Sequence, residues 1–563
     1  MVKFPTLLIG LSVDRVGGCA ELRGSNLLQG CPQTYTMMVR SLLCPFITLV
    51  LSAGCGTDEP SHGPPEVGPD VGVVRDSGAG LLRDAGGVVD ARPVDATAHG
   101  QPDARVDASL SDASGRAQPD AGPPDAQPDT GPPDAQADTG PADAQADTGP
   151  PDAQADTGPP DTGPVYPCPD LPAQCGDRER WQANLREHHM QVIDGCVFSL
   201  DAPDDAAWRT GHARADNLAS RLGGAVSMGT LLGDLNRQAR SSITNQSARR
   251  LRNHTWQGWI WDEGDNGVSY WYPQGITGSS DATDSGRVNN RRLQLVSWYH
   301  KTQARPTKGV RVSLADLTQF NDIDYRHLLL VVPYGDGAAV NYRPLHKSDV
   351  NTDALHAGGI VWYGDYLYVA DTANGFRVFD LSAIARVSHT NDTGSFGRSG
   401  NVSHAFGYRY IVPQVARYDR SEGACAYSFS FVSLDRSSTP PALLSGEYKS
   451  TSIQGRLVHW YVDPQTHRLD ARQGQVRGRA AKMGAQTKMQ GAARWAGNYY
   501  ISSSSQAGSF GRLYRTRAGR ESSISAWVYG AEDLYYERGT GRIWTAAEFP
   551  DFRDVVSIPL LEP

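Results

Sequence analysis

Polar side chains that could bind a ligand or transfer a proton stand where several short strand-like runs begin. They are Gln274, His356, His404, Lys488, Gln490 and Glu532. Imidazole nitrogens and carboxylate oxygens ligate divalent cations, which makes His356, His404 and Glu532 candidate metal ligands. The same two histidines could instead be catalytic general bases. A third interpretation is that these polar groups only hydrogen-bond one another in a hydrated channel, and the sequence leaves all three open.

Two further features suggest a ligand surface. Tyr408 lies close to His404 in sequence, and a His/Tyr pair suits a polysaccharide lyase mechanism. Trp and Tyr side chains are dense between residues 256 and 272, where they could stack on sugar rings or simply pack between sheets as strand formers. The candidate ligand-binding residues are therefore Gln274, Lys488, Gln490, Glu532 and Tyr408.

Motifs and charge exclude several classes of function. The sequence contains no GxSxG, HExxH, Walker or GxGxxG motif, so a serine triad, a zincin site or a nucleotide-binding loop is not supported. The net charge of -9 is concentrated in residues 56–165, which hold 21 acidic and 5 basic residues. The rest of the chain is slightly positive, which is too little for a nucleic-acid surface, and we expect no nucleic-acid partner.

An export signal is predicted at residues 37–55. Residues 37–40 supply a methionine start and a positive charge, residues 42–51 are apolar, and small residues precede Cys55. Ten residues span only about 15 Å as a helix, so the run is too short for a membrane span. The ending resembles a lipoprotein box, although Leu51 lies one position early. The resemblance implies lipidation at Cys55 and a cell-surface or outer-membrane lipoprotein, with ordinary secretion as the alternative. Residues 1–36 are then a misassigned start.

Residues 56–165 predict a disordered tether. They are rich in Asp, Pro and Ala, repeat a Pro-Asp-Ala-Gln-Ala-Asp-Thr-Gly-Pro unit, and contain too few large apolar side chains to form a core. Regularly spaced prolines and aspartates favour an extended chain. The predicted function of this segment is to hold the following domain away from the membrane.

Residues 166–250 read as a cysteine-containing helical lead-in. Helices are predicted from Ala206 to Arg221, after Asp204 and Asp205, and from Thr230 to Arg240. Four cysteines remain after the signal and could form two disulfides, with three possible connectivities that the sequence leaves open. One of them would join Cys168 to Cys175 and Cys196 to Cys425, and free buried thiols are the alternative.

Residues 251–563 predict an all-β domain, because short alternating runs are separated by Gly, Asn and Asp turns. Residues 256–261 and 268–272 are predicted to form a hairpin with a solvated turn at 262–267. Further strands are predicted at 328–332, 366–370, 376–379, 429–434, 457–461, 499–503 and 555–559.

A weak repeat of about 40 to 70 residues favours a β-propeller over a β-sandwich. Copies begin near Pro273, His356, Lys488 and Ala531, with a less regular copy at His404, so five blades are favoured and six are possible. The stretch from residue 359 to 381 resembles the repeat of NHL-repeat and gluconolactonase-like propellers. The domain is similar to uncharacterised secreted propellers of actinobacteria and myxobacteria, a resemblance that implies architecture more than activity.

Three functions are open at this point. The favoured one is a surface-anchored propeller that binds an extracellular ligand, either a carbohydrate or cell-wall glycan or another small molecule. The second is a propeller enzyme, either a metal-dependent lactonase or hydrolase or a polysaccharide lyase, with a divalent cation as the possible cofactor. The third is a protein-interaction module of the cell envelope.

Overall fold

A computed structural model of the chain describes residues 178–504 and 510–560, Cys168, and four short strands between residues 11 and 50. The chain divides into two compact units, Met1–Asp138 and Thr139–Pro563. In the first unit, Leu11–Val16 pairs with Cys19–Gly24, and Thr36–Ser41 pairs with Cys44–Val50. The predicted lipidation site Cys55 and the predicted tether lie outside the described residues. The export signal and the tether therefore stay predictions.

Five antiparallel groups of four strands dominate the described part of the second unit, and we call them blades 1 to 5; the fourth strands of blades 1 and 2 also pair with each other in parallel, at residues 329–331 and 411–413. The strands are Trp271–Gly278, Leu293–His300, Val310–Asp316 and Asp324–Tyr334 in blade 1; Ile360–Tyr363, Tyr366–Asp371, Gly375–Asp380 and Tyr410–Arg420 in blade 2; Phe431–Asp435, Ala442–Gly446, Arg456–Tyr461 and Ala480–Met483 in blade 3; Met489–Trp495, Asn498–Ser503, Arg512–Thr516 and Ser523–Ala526 in blade 4; and Tyr535–Glu537, Arg542–Ala546, Asp554–Pro559 and Gln257–Ile260 in blade 5.

The blades form a closed ring. The first strand of each blade contacts the first strand of the next, and that of blade 5 contacts that of blade 1. Blade 5 takes its fourth strand from the start of the domain, because Gln257–Ile260 pairs with Asp554–Pro559. This pairing ties the two ends of the domain together. The chain is a five-bladed β-propeller, which confirms the favoured fold class.

Small residues on the first strands allow the blades to approach one another closely. A Cβ atom on Gly359 would lie 2.1 Å from the backbone nitrogen of Val432 in blade 3, and one on Gly275 would lie 2.7 Å from Gly359. Real Cβ atoms do not come so close to backbone, so these positions require glycine.

The predicted hairpin of residues 256–261 and 268–272 is wrong. Gln257–Ile260 belongs to blade 5, whereas Trp271–Gly278 is the first strand of blade 1. Between them lies a helical turn, Glu263–Gly267, which Asp262 caps by accepting a hydrogen bond from the backbone N–H of Asp265 at 2.8 Å. Asp265 is buried rather than solvated. The Asn-Gly pair there ends a helical turn instead of joining two strands.

The dense tryptophans pack between blades 5 and 1. Trp259, Trp261 and Trp298 are fully buried, with ring centroids 4.5 Å apart for the first two and 4.7 Å apart for the last two. The packing interpretation of this aromatic stretch therefore holds for these rings. Tyr270, in contrast, is 46% exposed.

The lead-in covers the outer edges of three blades. Its strands Gln191–Ile193, Ser199–Asp201 and Arg237–Gln238 pair with the fourth strands of blades 3, 2 and 1. Covering an edge strand prevents its unpaired backbone from pairing with another chain.

The short elements outside the blades are the helices Arg178–Ala183, Asp205–Arg221, Met228–Leu232, Asn245–Arg250, Glu263–Gly267 and Ser279–Ala282, the 3-10 turns Gly337–Ala339, Leu381–Ala383 and Arg538–Thr540, and the strands Asn341–Pro344, Ala385–Arg386, Phe396–Ser399, Val402–Ala405, Ala471–Arg472 and Gln475–Arg477.

Helix Asp205–Arg221 matches its prediction, with the Asp204 carboxylate accepting a hydrogen bond from Ala207 at 2.7 Å. A Cβ on Gly211 would lie 1.8 Å from the carbonyl oxygen of Val415, so the helix lies directly on the fourth strand of blade 2. The second predicted helix is much shorter than expected, Met228–Leu232, because the chain then joins blade 1 as a strand. None of the helices in the described residues is long and apolar enough to cross a membrane.

Disulfides form, as expected, and Cys168 is bonded to Cys196, while Cys425 is also disulfide-bonded. The connectivity that joins Cys168 to Cys175 and Cys196 to Cys425 is therefore ruled out. The lead-in strands instead bring Cys196 to Cys168 against blade 3, where the Cys168 sulfur lies 3.7 Å from the carbonyl oxygen of Gly478.

Candidate functional site

The candidate site is formed by residues at the starts of first strands and at the ends of second strands. In an antiparallel pair, the residue before the first strand and the residue after the second strand lie at the same end of the pair. Gln274, Gln490 and Glu532 come from the beginnings of first strands or the segments that lead into them, and Glu548 follows the second strand of blade 5. We call this group, with the rings around it, the channel-mouth site.

A hydrogen-bonded pair of carboxyl groups lies at its centre. Glu532 and Glu548 are hydrogen-bonded to each other. The amide Nε2 of Gln490 donates to Oε1 of Glu532 at 3.0 Å, and Nε2 of Gln274 donates to Oε2 of Glu548 at 3.2 Å. The four side chains thus form one chain of hydrogen bonds that joins blades 1, 4 and 5.

Burial disfavours the ionised form of both carboxyl groups. Burial raises the pKa of Glu532 well above its ordinary value, and the neighbouring Glu548 and Asp533 carboxyl groups raise it further. Burial also raises the pKa of Glu548, but there the hydrogen bonds from Gln274 and Glu532 and the charge of Lys301 act in the opposite direction. The environment of Glu532 therefore favours its protonated form. A protonated carboxyl can donate a hydrogen bond as well as accept one.

Gln274 has spare hydrogen-bonding capacity. Its side chain is only 1% exposed, and its Nε2 donates to the carbonyl oxygen of Pro273 at 2.8 Å as well as to Glu548. Its Oε1 is buried and accepts no hydrogen bond from any residue that the structure describes. A buried polar atom in this state is costly unless water or a ligand supplies the missing partner. The site therefore has an acceptor that the described part of the protein does not satisfy.

Aromatic rings surround the pair. Tyr299 lies 5.7 Å from Tyr272 and 4.5 Å from His356, measured between ring centroids. His356 is exposed to solvent beside these rings. Tyr448, after the second strand of blade 3, is 37% exposed, and the Glu532 and Glu548 carboxyl groups contribute to raising the pKa of its hydroxyl.

The structure brings only some of the predicted site residues together. Gln274, Gln490 and Glu532 lie in the hydrogen-bonded chain, and His356 stands beside it through Tyr299. Lys488 precedes the first strand of blade 4, where its backbone N–H donates to the carbonyl oxygen of Lys449 at 2.7 Å.

His404 and Tyr408 lie elsewhere, so their grouping with the channel is corrected. His404 is in the hairpin of Phe396–Ser399 and Val402–Ala405, and its Nδ1 is 3.8 Å from the carboxylate of Asp392. The hydroxyl of Tyr408 accepts from Arg311 at 3.3 Å, in a separate cleft. The irregular copy that was taken to begin at His404 is an insertion before the fourth strand of blade 2, and blade 3 begins only at Phe431.

A metal centre of three or more His, Cys, Asp or Glu side chains does not occur among the described residues. The candidate set of His356, His404 and Glu532 fails because His404 lies in the blade 2 insertion. Glu532 is already bonded to Gln490 and Glu548. The donors of the channel-mouth site are arranged for hydrogen bonding.

Sequence reasoning missed Glu548, Tyr299 and Tyr448. All three stand at or just after the end of a second strand, which returns to the edge where the first strand began. A search for polar and aromatic residues at both kinds of position would have found them.

The fold and the site define a five-bladed propeller with a polar, largely neutral site at one end of its axis. The sequence model of the LVIVD repeat matches residues 356–388, which contain the first three strands of blade 2. This match supports a propeller-type repeat; the narrower resemblance to actinobacterial and myxobacterial proteins stays a prediction.

Similarity to solved structures is weak. RS223-Beta-xylosidase is 8% identical with a TM-score of 0.28, over 52% of this chain and 93% of that one. Hydrazine synthase of Kuenenia stuttgartiensis is 10% identical with a TM-score of 0.22, over 52% of this chain and 88% of that one. Similarity at this level says nothing about activity. No curated protein matches the chain significantly.

Proposed function

We propose that the propeller binds a neutral carbohydrate at the channel-mouth site. The observation that carries this proposal is the chain of Gln490, Glu532, Glu548 and Gln274, in which two amides flank a hydrogen-bonded pair of carboxyl groups whose pKa values are raised by burial. Amides and a protonated carboxyl both donate and accept hydrogen bonds, as sugar hydroxyls do. The unsatisfied Oε1 of Gln274 is available to one such hydroxyl.

The aromatic residues around the channel-mouth site support the same proposal. Tyr272, Tyr299 and Tyr448 present rings beside the carboxyl pair, and Tyr448 is partly exposed. A sugar ring can place its C–H face on an aromatic ring while its hydroxyls reach polar groups beneath.

The test is a titration of the full chain with neutral cello-, xylo- and chito-oligosaccharides by calorimetry. At least one oligosaccharide should bind, and Gln274→Ala and Glu532→Gln should each weaken binding about tenfold, since each removes or alters one buried hydrogen-bonding group. Gln465→Ala, on an exposed loop, is the matched control. The proposal fails if no oligosaccharide binds or if the two site variants bind as tightly as the control.

A hydrolase is the second candidate, and the direct hydrogen bond between the Glu532 and Glu548 carboxyl groups is the observation that favours it. Such a pair can activate water with one carboxylate while the other carboxyl donates its proton. Directly hydrogen-bonded carboxyl groups are closer than the ~5 Å that retaining glycosidases use, so the pair resembles a shared-proton dyad more than a glycosidase pair. Chromatography of the same mixtures separates the candidates, because only a hydrolase releases shorter products in a Glu548-dependent manner.

We propose in addition that the protein is exported and anchored through Cys55, with residues 56–165 as a spacer. The apolar run before a cysteine and the repetitive Asp/Pro/Ala composition after it support this. In a bacterial host, Cys55→Ser should move the protein from the membrane fraction to the soluble fraction, whereas Cys44→Ser should leave it with the membrane. Equal fractionation of both variants would contradict lipid anchoring at Cys55. An envelope partner that co-purifies without any glycan binding would favour an interaction module instead.

A further inference from the structure

A second polar cleft lies beside the channel-mouth site, between the helical turn Glu263–Gly267, blade 1 and the insertion of blade 2. Its volume is about 820 Å³. Five cationic side chains line it against two carboxylates, Asp234 and Asp265. The cations are Arg237, Lys308, Arg311, Arg326 and Arg409. The lining therefore has an excess of positive charge.

Arg311 is the most buried of these cations, with only 4% of its side chain exposed. Its guanidinium lies 4.6 Å from the ring centroid of Trp271 and 4.5 Å from that of Trp298. One Nη donates to Asp265 at 3.0 Å and the other to Tyr408 at 3.3 Å, but its buried Nε has no acceptor among the described residues. A buried donor without a partner costs free energy that a bound acceptor would recover.

Asp265 has little capacity left to neutralise the cleft. It accepts hydrogen bonds from Tyr325 at 2.7 Å and is 2.8 Å from the imidazole of His327, besides its contact with Arg311. Burial alone would raise the pKa of Asp265, but His327, Arg311 and Arg237 outweigh it and hold the carboxyl ionised. Burial lowers the pKa of His327 to about 4, so that ring adds no charge at pH 7.

Arg237 is paired with Asp262 at 2.9 Å and with Asp265 at 3.1 Å, but the other three cations are incompletely paired. Arg326 and Arg409 both contact the single carboxylate of Asp234 at 3.3 Å. Lys308 is half-buried, lies 5.5 Å from the ring centroid of Phe406, and has no carboxylate partner within the described ranges. Burial lowers the pKa of its ammonium, as expected for a cation that lacks a counter-ion.

We propose that this cleft binds the negatively charged group of an acidic sugar, a carboxylate or a phosphate on a pyranose ring. The anion neutralises Lys308 and Arg311, which a neutral ligand cannot do. Tyr270, which lines the cleft and is 46% exposed, offers a ring face for the sugar. The site is separate from the channel mouth and does not depend on ligand binding there.

The experiment titrates the full chain with glucuronate, glucose 6-phosphate and glucose, and follows tryptophan fluorescence because Trp271 and Trp298 flank Arg311. We expect at least one anion to bind, with glucose binding at least tenfold more weakly. Lys308→Gln should weaken anion binding about tenfold, the loss of one charge-assisted contact. Arg472→Gln removes the same charge from an exposed hairpin and is the control. Comparison of the two anions shows whether carboxylate or phosphate is preferred.

Arg409→Gln, at the partly exposed edge of the cleft, provides a second variant and should also weaken binding of the anion. The proposal is overturned if neither anion binds, or if glucose binds as tightly as both anions. It is also overturned if Lys308→Gln and Arg409→Gln bind the anions as tightly as Arg472→Gln does. A failure of neutral oligosaccharide binding at the channel mouth would not, because different residues and a different ligand charge are involved.

Discussion

Asp281 should make the stability of the propeller fall with rising pH. It lies in the short helix Ser279–Ala282 after the first strand of blade 1, where it is only 5% exposed. The hydroxyl of Thr277 donates to its Oδ2 at 2.8 Å. Burial raises the pKa of Asp281 to about 7, against the lowering effects of Thr277 and two nearby arginines. Ionising this carboxyl in the folded protein is therefore costly.

The sign and the size of the effect follow from proton linkage. The folded pKa lies above the unfolded one, so the folded state retains a proton that the unfolded state has lost between about pH 4 and pH 7. The cost to stability is about 1.5 kcal/mol at pH 5 and reaches about 4 kcal/mol at pH 8. Asp281→Asn mimics the protonated carboxyl and removes this dependence. Its stability relative to the natural protein should rise by about 2.5 kcal/mol from pH 5 to pH 8.

Urea unfolding of both proteins at pH 5, 6, 7 and 8 measures this difference. The comparison across pH cancels any fixed effect of the amide on packing. Asp336→Asn is the control, because Asp336 is 74% exposed and pairs with Arg214 at the surface, where such a pair contributes about 0–1 kcal/mol. A difference between Asp281→Asn and the natural protein that stays constant from pH 5 to pH 8 would refute the assignment of a raised pKa.

Two further predictions test the ring and its lead-in. Gly359→Ala should destabilise the fold by more than about 3 kcal/mol, because its Cβ would lie 2.1 Å from the backbone nitrogen of Val432. Thermal unfolding measures this loss of stability. The control, Gly539→Ala, has open space around the added Cβ and should unfold close to the temperature of the natural protein. Peptide mapping without reduction should recover Cys168 joined to Cys196; an unlinked pair of peptides would contradict the fold of the lead-in.

The local pattern of the sequence was sufficient for the fold class. Alternation and turn residues placed strands such as Tyr366–Asp371, Arg456–Tyr461 and Asp554–Pro559 close to their observed limits. The limits of helix Asp205–Arg221 could also be predicted closely from the sequence, because a capping aspartate precedes the helix and two glycines follow it. These features depend on neighbouring residues, and a sequence displays neighbours directly.

Partners distant in sequence were decided by the tertiary structure. Gln257–Ile260 was assigned to a hairpin with the next apolar run, but ring closure pairs it with Asp554–Pro559 at the other end of the domain. The disulfide connectivity was left open by the sequence for the same reason, since lead-in strands that pair with separate blades determine which cysteines meet. Such contacts are long-range, and no local pattern encodes them.

The same distinction between local pattern and long-range contact applies to the residues of the channel-mouth site. The sequence by itself determined that Gln274, Gln490 and Glu532 stand near the starts of inner strands, because the repeat marks those starts. Only the closed ring decided that Glu532 is hydrogen-bonded to Glu548, and that His404 lies in the insertion before the fourth strand of blade 2. Hydrogen bonding and burial depend on distances between blades, and these distances are fixed when five sheets close around one axis.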